Sequence, residues 1–261
     1  MPDYSLFLWL LKLGALVNVY FLAGTFRIGG ADPYVAAPAA ILFAVSAYRC
    51  LFPVRYEHNI VLHQSVFSSI FATRFLATFS EVAYIFLFSH VLRVLNVDGV
   101  GWIVIVSWLM VAQVVISQAF VWTAILIENF KFYFYEELGW FFIFAANTIS
   151  SLNLILTVDE PGGRRVLLIL NLIFGALYLP WQSLHLRSLR AEARKQERNG
   201  AGSTAISARL KDGLMRAILE KNRRTDSASW GGTIGLTWMT AYWATLIPMW
   251  TYYIVRVVAQ R

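Results

Sequence analysis

Two residues of opposite charge, Arg74 and Glu81, lie inside one long apolar segment of this chain. An ionisable side chain in hydrocarbon is energetically costly, so such residues usually serve a function. Two helical turns, about 10.5 Å along a helix axis, separate the two residues. Thr78 lies between them on the same helical stripe. The spacing therefore predicts either a direct ion pair or two groups that each meet a partner on another helix.

A carboxylate at the middle of an apolar helix is a candidate for proton transfer. We therefore expect Glu81 to be a general acid or base, with Arg74 binding an anionic head group or holding the carboxylate in place. Glu137 and His185 are further candidates for proton transfer. The alternative is a buried ion pair whose only effect is to lock the helices together.

Polar and aromatic residues recur at helical spacing in two other apolar segments. One stripe contains Asn171, Gly175, Tyr178, Gln182 and His185, and the other contains Tyr133, Glu137, Trp140, Phe144, Asn147 and Ser151. Such stripes face the interior of a bundle rather than lipid. The predicted substrate-binding residues are Asn18, Trp140, Asn147, Tyr178 and Gln182. For the amides, hydrogen bonding between helices is the more common use in membranes.

No metal site is predicted, because the histidines lack the spacing of metal ligands. A site built from His58, His63, His185 and a carboxylate is conceivable only if the fold brings them together. The last apolar segment contains no lysine, which excludes a retinal Schiff base there. No histidine lies at mid-membrane depth, which argues against axial ligands of a b-type haem. The cofactor is left open.

The composition requires these residues to be held by helices in a membrane. Of 261 residues, 58% are hydrophobic and 14% are charged, whereas soluble domains carry about 25% charged residues. Backbone groups in hydrocarbon must bond internally, so each apolar block of spanning length is a predicted helix. The sequence predicts an all-α polytopic membrane protein, residues 1–261 forming a single transmembrane domain. Its seven spans lie near 5–26, 34–53, 66–94, 101–127, 132–157, 165–186 and 233–257.

The basic residues predict the orientation of these spans. Most of the Lys and Arg residues, including the group between Arg187 and Arg224, fall on one side of the predicted membrane, which should be cytoplasmic. The amino terminus then lies in the cytoplasm and, with seven spans, the carboxyl terminus lies outside. Interfacial aromatic belts are expected to include Trp9, Trp102, Trp181 and Trp230.

Residues 187–232 form a basic cytoplasmic loop between spans six and seven. Its first part, 187–200, reads as a charged helical extension, and an amphipathic helix is predicted from about 204 to 222. A basic polar face suits a helix on an anionic leaflet, although packing beneath the bundle explains the pattern equally well. The net charge of +7 therefore indicates anionic lipid head groups rather than nucleic acid as the partner of this loop.

Many polar side chains fall near the predicted cytoplasmic ends of the helices, which suggests a polar and aromatic cavity open to that side. The leading hypothesis is a membrane-embedded enzyme that acts on a lipophilic substrate such as a lipid, an isoprenoid or a quinone-like molecule. The alternatives are a proton-coupled transporter or channel, and a non-catalytic sensor or subunit of a membrane complex.

Overall fold

Six helices of this chain are long and apolar enough to cross a membrane. The structure is a computed structural model that describes residues 2–28, 32–158, 162–198 and 206–258. Within those ranges the six segments are Ser5–Phe26, Pro33–Leu51, Ile70–Leu95, Gly101–Ile127, Phe130–Thr157 and Gly163–Arg198. The prediction of an all-α, multi-pass membrane protein is therefore confirmed, and these segments match the first six predicted spans.

The chain divides into two compact units. Unit 1 contains residues 1–84 and 214–261, and unit 2 contains residues 85–213. The helices of unit 1 are α1 (Ser5–Leu10), α2 (Leu13–Phe26), α3 (Pro33–Leu51), the first part of α4 (Ile70–Leu95), the last part of α8 (Ile206–Leu219), α9 (Gly232–Met239) and α10 (Leu246–Val258). Within it, α2 and α3 pack against each other, and α10 packs against both.

The seventh predicted span, 233–257, is not one continuous helix. A π-helical turn, Thr240–Ala244, follows α9, and Thr245 has non-helical backbone angles before α10 begins. Pro248 explains the position of the break, because a proline ring clashes with the carbonyl four residues earlier, here that of Ala244. Pro38, by contrast, is accommodated inside the continuous α3.

A small extramembrane layer of unit 1 joins three distant parts of the chain. Strands β1 (Val54–Arg55) and β2 (Ile60–Val61) pair antiparallel, and β3 (Asn222–Arg223) pairs parallel with β2. The amide of Tyr4 donates to the carbonyl of Thr225 at 2.8 Å. Trp230, expected in an interfacial belt, is instead fully buried in a cluster with Leu8, Ile60, Leu62 and Leu236.

Unit 2 is built on three long helices that follow the end of α4. They are α5 (Gly101–Ile127), α6 (Phe130–Thr157) and α7 (Gly163–Arg198), with α6 packed between the other two. The break between α5 and α6 occurs where the sequence predicts it. Glu128 adopts a left-handed conformation at the end of α5, and the Asn129 side chain caps α6 by accepting from the amide of Lys131.

The predicted charged extension of span six is continuous with that span, so that α7 is 36 residues long. Gln196, near its end, donates to the carbonyl of Glu128 and accepts from the amide of Phe130. These bonds satisfy backbone groups that the α5–α6 turn leaves open. Of the helix predicted from about 204 to 222, α8 covers Ile206–Leu219, whereas Asn222 belongs to β3, and residues 204 and 205 lie outside the described residues.

Candidate functional site

Arg74 and Glu81 form a direct, two-pronged ion pair in unit 1. Nη1 of Arg74 lies 3.0 Å from Oε1 of Glu81, and Nη2 lies 2.6 Å from Oε2. Arg74 is 2% exposed and Glu81 is 6% exposed. The long side chains therefore close the two-turn gap on a single helix. Both carboxylate oxygens of Glu81 are therefore engaged by one guanidinium, the two-pronged geometry that gives the strong form of such a pair.

A second guanidinium, that of Arg49, lies close to this pair in unit 1. Arg49 is 5% exposed, and its Nη1 donates to the Tyr56 hydroxyl at 3.0 Å. The guanidinium carbon of Arg49 lies 4.7 Å from the centre of the Trp243 ring and 5.2 Å from that of Tyr56. The Tyr56 ring is also 5.7 Å from the guanidinium carbon of Arg74. We call Arg49, Tyr56, Arg74, Glu81 and Trp243 the arginine cluster.

The elements that build the arginine cluster meet at one end of the unit 1 helices. Arg49 is in the last turn of α3, Tyr56 follows β1, and Arg74 is in the second turn of α4. Trp243 lies in the π-helical turn that precedes the non-helical Thr245. Arg49 is not among the site residues that the sequence predicts, because there it serves only in the count of basic residues that gives the orientation of the spans. Its place within an apolar block, beside Cys50, Leu51 and Phe52, was the available signal.

Asn18 is bonded to the backbone at the break in the last helix pair. Its Nδ2 donates to the carbonyls of Gly14 and Trp243, each at 2.8 Å. The Cys50 thiol also approaches the Trp243 carbonyl, at 3.4 Å. Side chains of neighbouring helices commonly satisfy carbonyls freed by a broken membrane helix. This geometry gives Asn18 a structural role, in addition to the substrate contact predicted for it.

Glu137 and Gln182 of unit 2 are brought together across α6 and α7. Nε2 of Gln182 donates to Oε2 of Glu137 at 2.7 Å and to the Glu137 carbonyl at 2.8 Å. Gln182 is fully buried, and its Oε1 has no hydrogen-bond partner among the described residues. Glu137 is half-buried. A carboxylate oriented by a buried amide at a helix interface is a group that can exchange a proton with a ligand.

A row of aromatic rings runs along the same two helices, and it includes the predicted site residues Trp140, Tyr178 and His185. Ring centres are 6.1 Å apart for Trp140 and Phe144, 4.8 Å for Phe144 and Tyr178, 5.9 Å for Tyr178 and Trp181, and 5.1 Å for Trp181 and His185. The ring of His185 stacks on that of Trp181, so the two are nearly parallel. We call this row, together with Glu137 and Gln182, the α6–α7 cluster.

Two further amides of the predicted stripes are Asn147 on α6 and Asn171 on α7. Nδ2 of Asn171 donates to the Ser151 hydroxyl at 2.9 Å, which joins the two predicted stripes. Asn147 is buried, and its Oδ1 has no hydrogen-bond partner among the described residues. Gly175 permits a close approach, since a Cβ there would lie 2.0 Å from the Thr148 hydroxyl. The predicted site residues therefore divide into Asn18, Arg74 and Glu81 in unit 1 and the others in unit 2.

The histidines of the α3–α4 loop show how this extramembrane segment is packed. His58 is exposed and has a left-handed backbone, whereas the His63 ring packs against Trp9 at 5.4 Å. Burial, followed by the charges of Lys12 and Arg223, lowers the pKa of His63 below its usual value. In the part of the chain that the structure describes, no three His, Cys, Asp or Glu side chains are grouped as metal ligands.

Comparison with known proteins adds no assignment to this geometry. The chain matches no protein-family model, no curated protein and no solved structure.

Proposed function

We propose that this membrane protein is an enzyme that takes a lipophilic substrate from the bilayer and transfers a proton at Glu137. A lipid, an isoprenoid or a quinone-like molecule is the class of substrate that suits an aromatic site in a membrane. The observation that carries the proposal is the 2.7 Å hydrogen bond from the buried Gln182 to the half-buried Glu137 carboxylate. This bond is what we expect of a Glu137 carboxylate that is held in one orientation near the aromatic rings of the α6–α7 cluster.

The residues of the α6–α7 cluster take different roles in this proposal. Glu137 is the general acid or base, and Gln182 positions it. His185, stacked on Trp181, is the second proton-transfer group. Trp140 and Tyr178 offer ring faces to the apolar part of the substrate, and Asn147 a buried amide to its polar part.

In this proposal Glu81 and Arg74 form a structural ion pair, the alternative to the catalytic role that the sequence predicts for them. We place the reacting carboxylate at Glu137 because Arg74 bonds both oxygens of Glu81. The pair then fixes α4 and holds the Arg74 guanidinium beside Tyr56. Glu81 as the general acid or base would require this pair to open during the reaction, which is unfavourable for a buried pair.

The membrane arrangement that we propose has seven spans in a single transmembrane domain, with α9 and α10 together forming the seventh. The packing of α10 against α2 and α3 supports this span. The amino terminus and the 187–232 loop lie in the cytoplasm and the carboxyl terminus lies outside. The 187–232 loop contacts anionic lipid head groups through α8.

Lipid extracts of cells that express variants of this protein test the enzyme proposal. Glu137→Gln keeps the shape of the side chain and removes its proton, so turnover should fall by about 10²–10⁴-fold. We expect mass spectrometry to find one lipid class altered by the native chain but not by Glu137→Gln. The matched control is Glu197→Gln, because Glu197 is exposed and its pair with Lys131, at 3.6 Å, is weak.

Identical lipid extracts from all of these cells would contradict the enzyme proposal. Uptake of a labelled solute by vesicles that contain the protein would then identify a proton-coupled transporter or a channel. A chain that neither alters lipid nor moves solute would be the sensor or complex subunit.

A further inference from the structure

Arg49 carries a buried positive charge that no acidic side chain compensates in the part of the chain that the structure describes. Among the described residues, the hydrogen bond of Arg49 goes to the neutral hydroxyl of Tyr56, and its Nε is buried without a hydrogen-bond partner. The nearby carboxylate of Glu81 is bonded to Arg74. The arginine cluster therefore holds two guanidinium groups and one carboxylate, which leaves one positive charge on Arg49.

A buried charge without a counterion is strongly unfavourable, and proteins resolve it by pairing the charge with another ion. The rings of Trp243 and Tyr56 offer cation–π attraction at 4.7 Å and 5.2 Å. Such rings stabilise a guanidinium without neutralising it. An anion is the kind of partner that would neutralise this charge.

We propose that Arg49 is the centre of a binding site for the anionic head group of a membrane lipid, with a phosphate oxygen accepting from its guanidinium. Tyr56 and Trp243 orient that guanidinium through their ring faces. Arg74, already paired with Glu81, also lies against the Tyr56 ring, with its guanidinium carbon 5.7 Å from the ring centre. This site belongs to unit 1 and does not rest on the chemistry proposed for Glu137.

The position of Arg49 along its helix favours a lipid as the source of the phosphate. Arg49 lies two residues before the end of α3, a helix of spanning length. Head groups lie at that depth of a membrane, at the boundary of the hydrocarbon. Arginine also suits a phosphate because its planar group of donors matches the oxygens in pairs. A soluble phosphate could offer the same oxygens, so the experiment includes it as a separate arm.

Lipid titration of the purified full chain in a neutral detergent tests this proposal. The ligands are phosphatidylglycerol, the zwitterionic phosphatidylcholine, and inorganic phosphate alone, and the readouts are thermal unfolding and native mass spectrometry. We expect phosphatidylglycerol to raise the Tm of the native chain and to remain bound, with little effect of phosphatidylcholine. Arg49→Gln should reduce that rise in Tm to the contribution of α8 and bind phosphatidylglycerol at this site about tenfold or more weakly.

Two further variants make the result specific. Arg49→Lys keeps the charge but loses the planar donor group, so its affinity should fall between those of the native chain and Arg49→Gln. It also decides the test if Arg49→Gln does not fold. Arg194→Gln removes an exposed charge from α7 and should behave like the native chain.

The three arms separate the possible outcomes. A response to phosphatidylglycerol that depends on Arg49 supports the lipid site. A response to inorganic phosphate of equal size and with the same dependence would keep the anion site but overturn the lipid as its source. Equal responses of the native chain and both Arg49 variants to every ligand would overturn the proposal.

Discussion

At the scale of single residues, the buried charges of an apolar helix must each have a partner of opposite charge. Arg74 and Glu81 satisfy each other through two hydrogen bonds, at 3.0 Å and 2.6 Å. Replacing either residue leaves the other charge buried without its partner. A buried pair therefore adds little net stability but is strongly destabilising when it is broken.

Single and double variants of this pair should show strong coupling. Arg74→Gln and Glu81→Gln should each lower the free energy of unfolding by about 3 to 5 kcal/mol. The double variant should be more stable than the sum of the two losses predicts, because it leaves no unpaired charge. Thermal unfolding in detergent measures all four proteins. The exposed pair Lys131–Glu197 is the control and should change stability by about 0–1 kcal/mol.

Additive losses at Arg74 and Glu81 would contradict the pairing. A Glu81→Gln variant of native stability that lost all activity would instead restore Glu81 as the reacting carboxylate.

The two halves of the arginine cluster differ in how far they could be predicted. Arg74 and Glu81 lie on one helix, so periodicity alone places them on one stripe. The contact between Arg49 and Trp243 joins α3 to the π-helical turn near the end of the chain, and its geometry depends on where the last helix pair breaks. No local pattern specifies such a contact. For the same reason, the aromatic stripes of α6 and α7 were predictable, whereas the bond between Gln182 and Glu137 required the packing of two helices.

At the scale of elements, α8 combines a face that packs inward with a face that remains exposed. Gly213 lies against the end of α5, since a Cβ there would be 1.8 Å from the Leu126 carbonyl oxygen, and Arg209 donates to the Ile127 carbonyl. On the outer side, Met215 is 49% exposed and Leu219 is 64% exposed. Exposed apolar residues beside basic ones are typical of a helix that lies on a membrane.

A fluorescent probe on this outer face tests the lipid contact of α8. Met215→Cys provides the attachment site, and the natural Cys50 is buried and should label poorly. In nanodiscs that contain phosphatidylglycerol, we expect the probe to report an apolar environment. The emission shift should decrease in purely zwitterionic lipid and in a variant that also carries Lys211→Gln and Lys221→Gln. A probe at the exposed Glu192 of α7 is the control.

The proposal that α8 lies on the membrane is wrong if the emission spectrum at position 215 does not change with lipid composition. The same conclusion follows if that spectrum equals the one at position 192.

At the scale of the whole chain, unit 1 constrains how many times the polypeptide crosses the membrane. Tyr4 is hydrogen-bonded to Thr225, and Asn222 donates to the carbonyl of His58. Segments bonded in this way lie on the same side of a bilayer. The chain must then cross an even number of times between residues 4 and 225, which agrees with the six candidate spans. The side that these segments share is cytoplasmic if the excess of basic residues determines the orientation.

We expect α9 and α10 together to cross the membrane rather than to return to the side from which they enter. Together Gly232–Val258 provide 27 residues, and about 20 helical residues span a bilayer. The break at Pro248 does not prevent a crossing, because Asn18 satisfies the freed carbonyl of Trp243. We expect a reporter at the amino terminus to be cytoplasmic and one at the carboxyl terminus to be outside. A reporter fused after Arg198 should match the amino terminus, since it follows six spans. If both termini and the Arg198 fusion report the same side, α9 and α10 form a re-entrant pair and the seven-span arrangement is wrong.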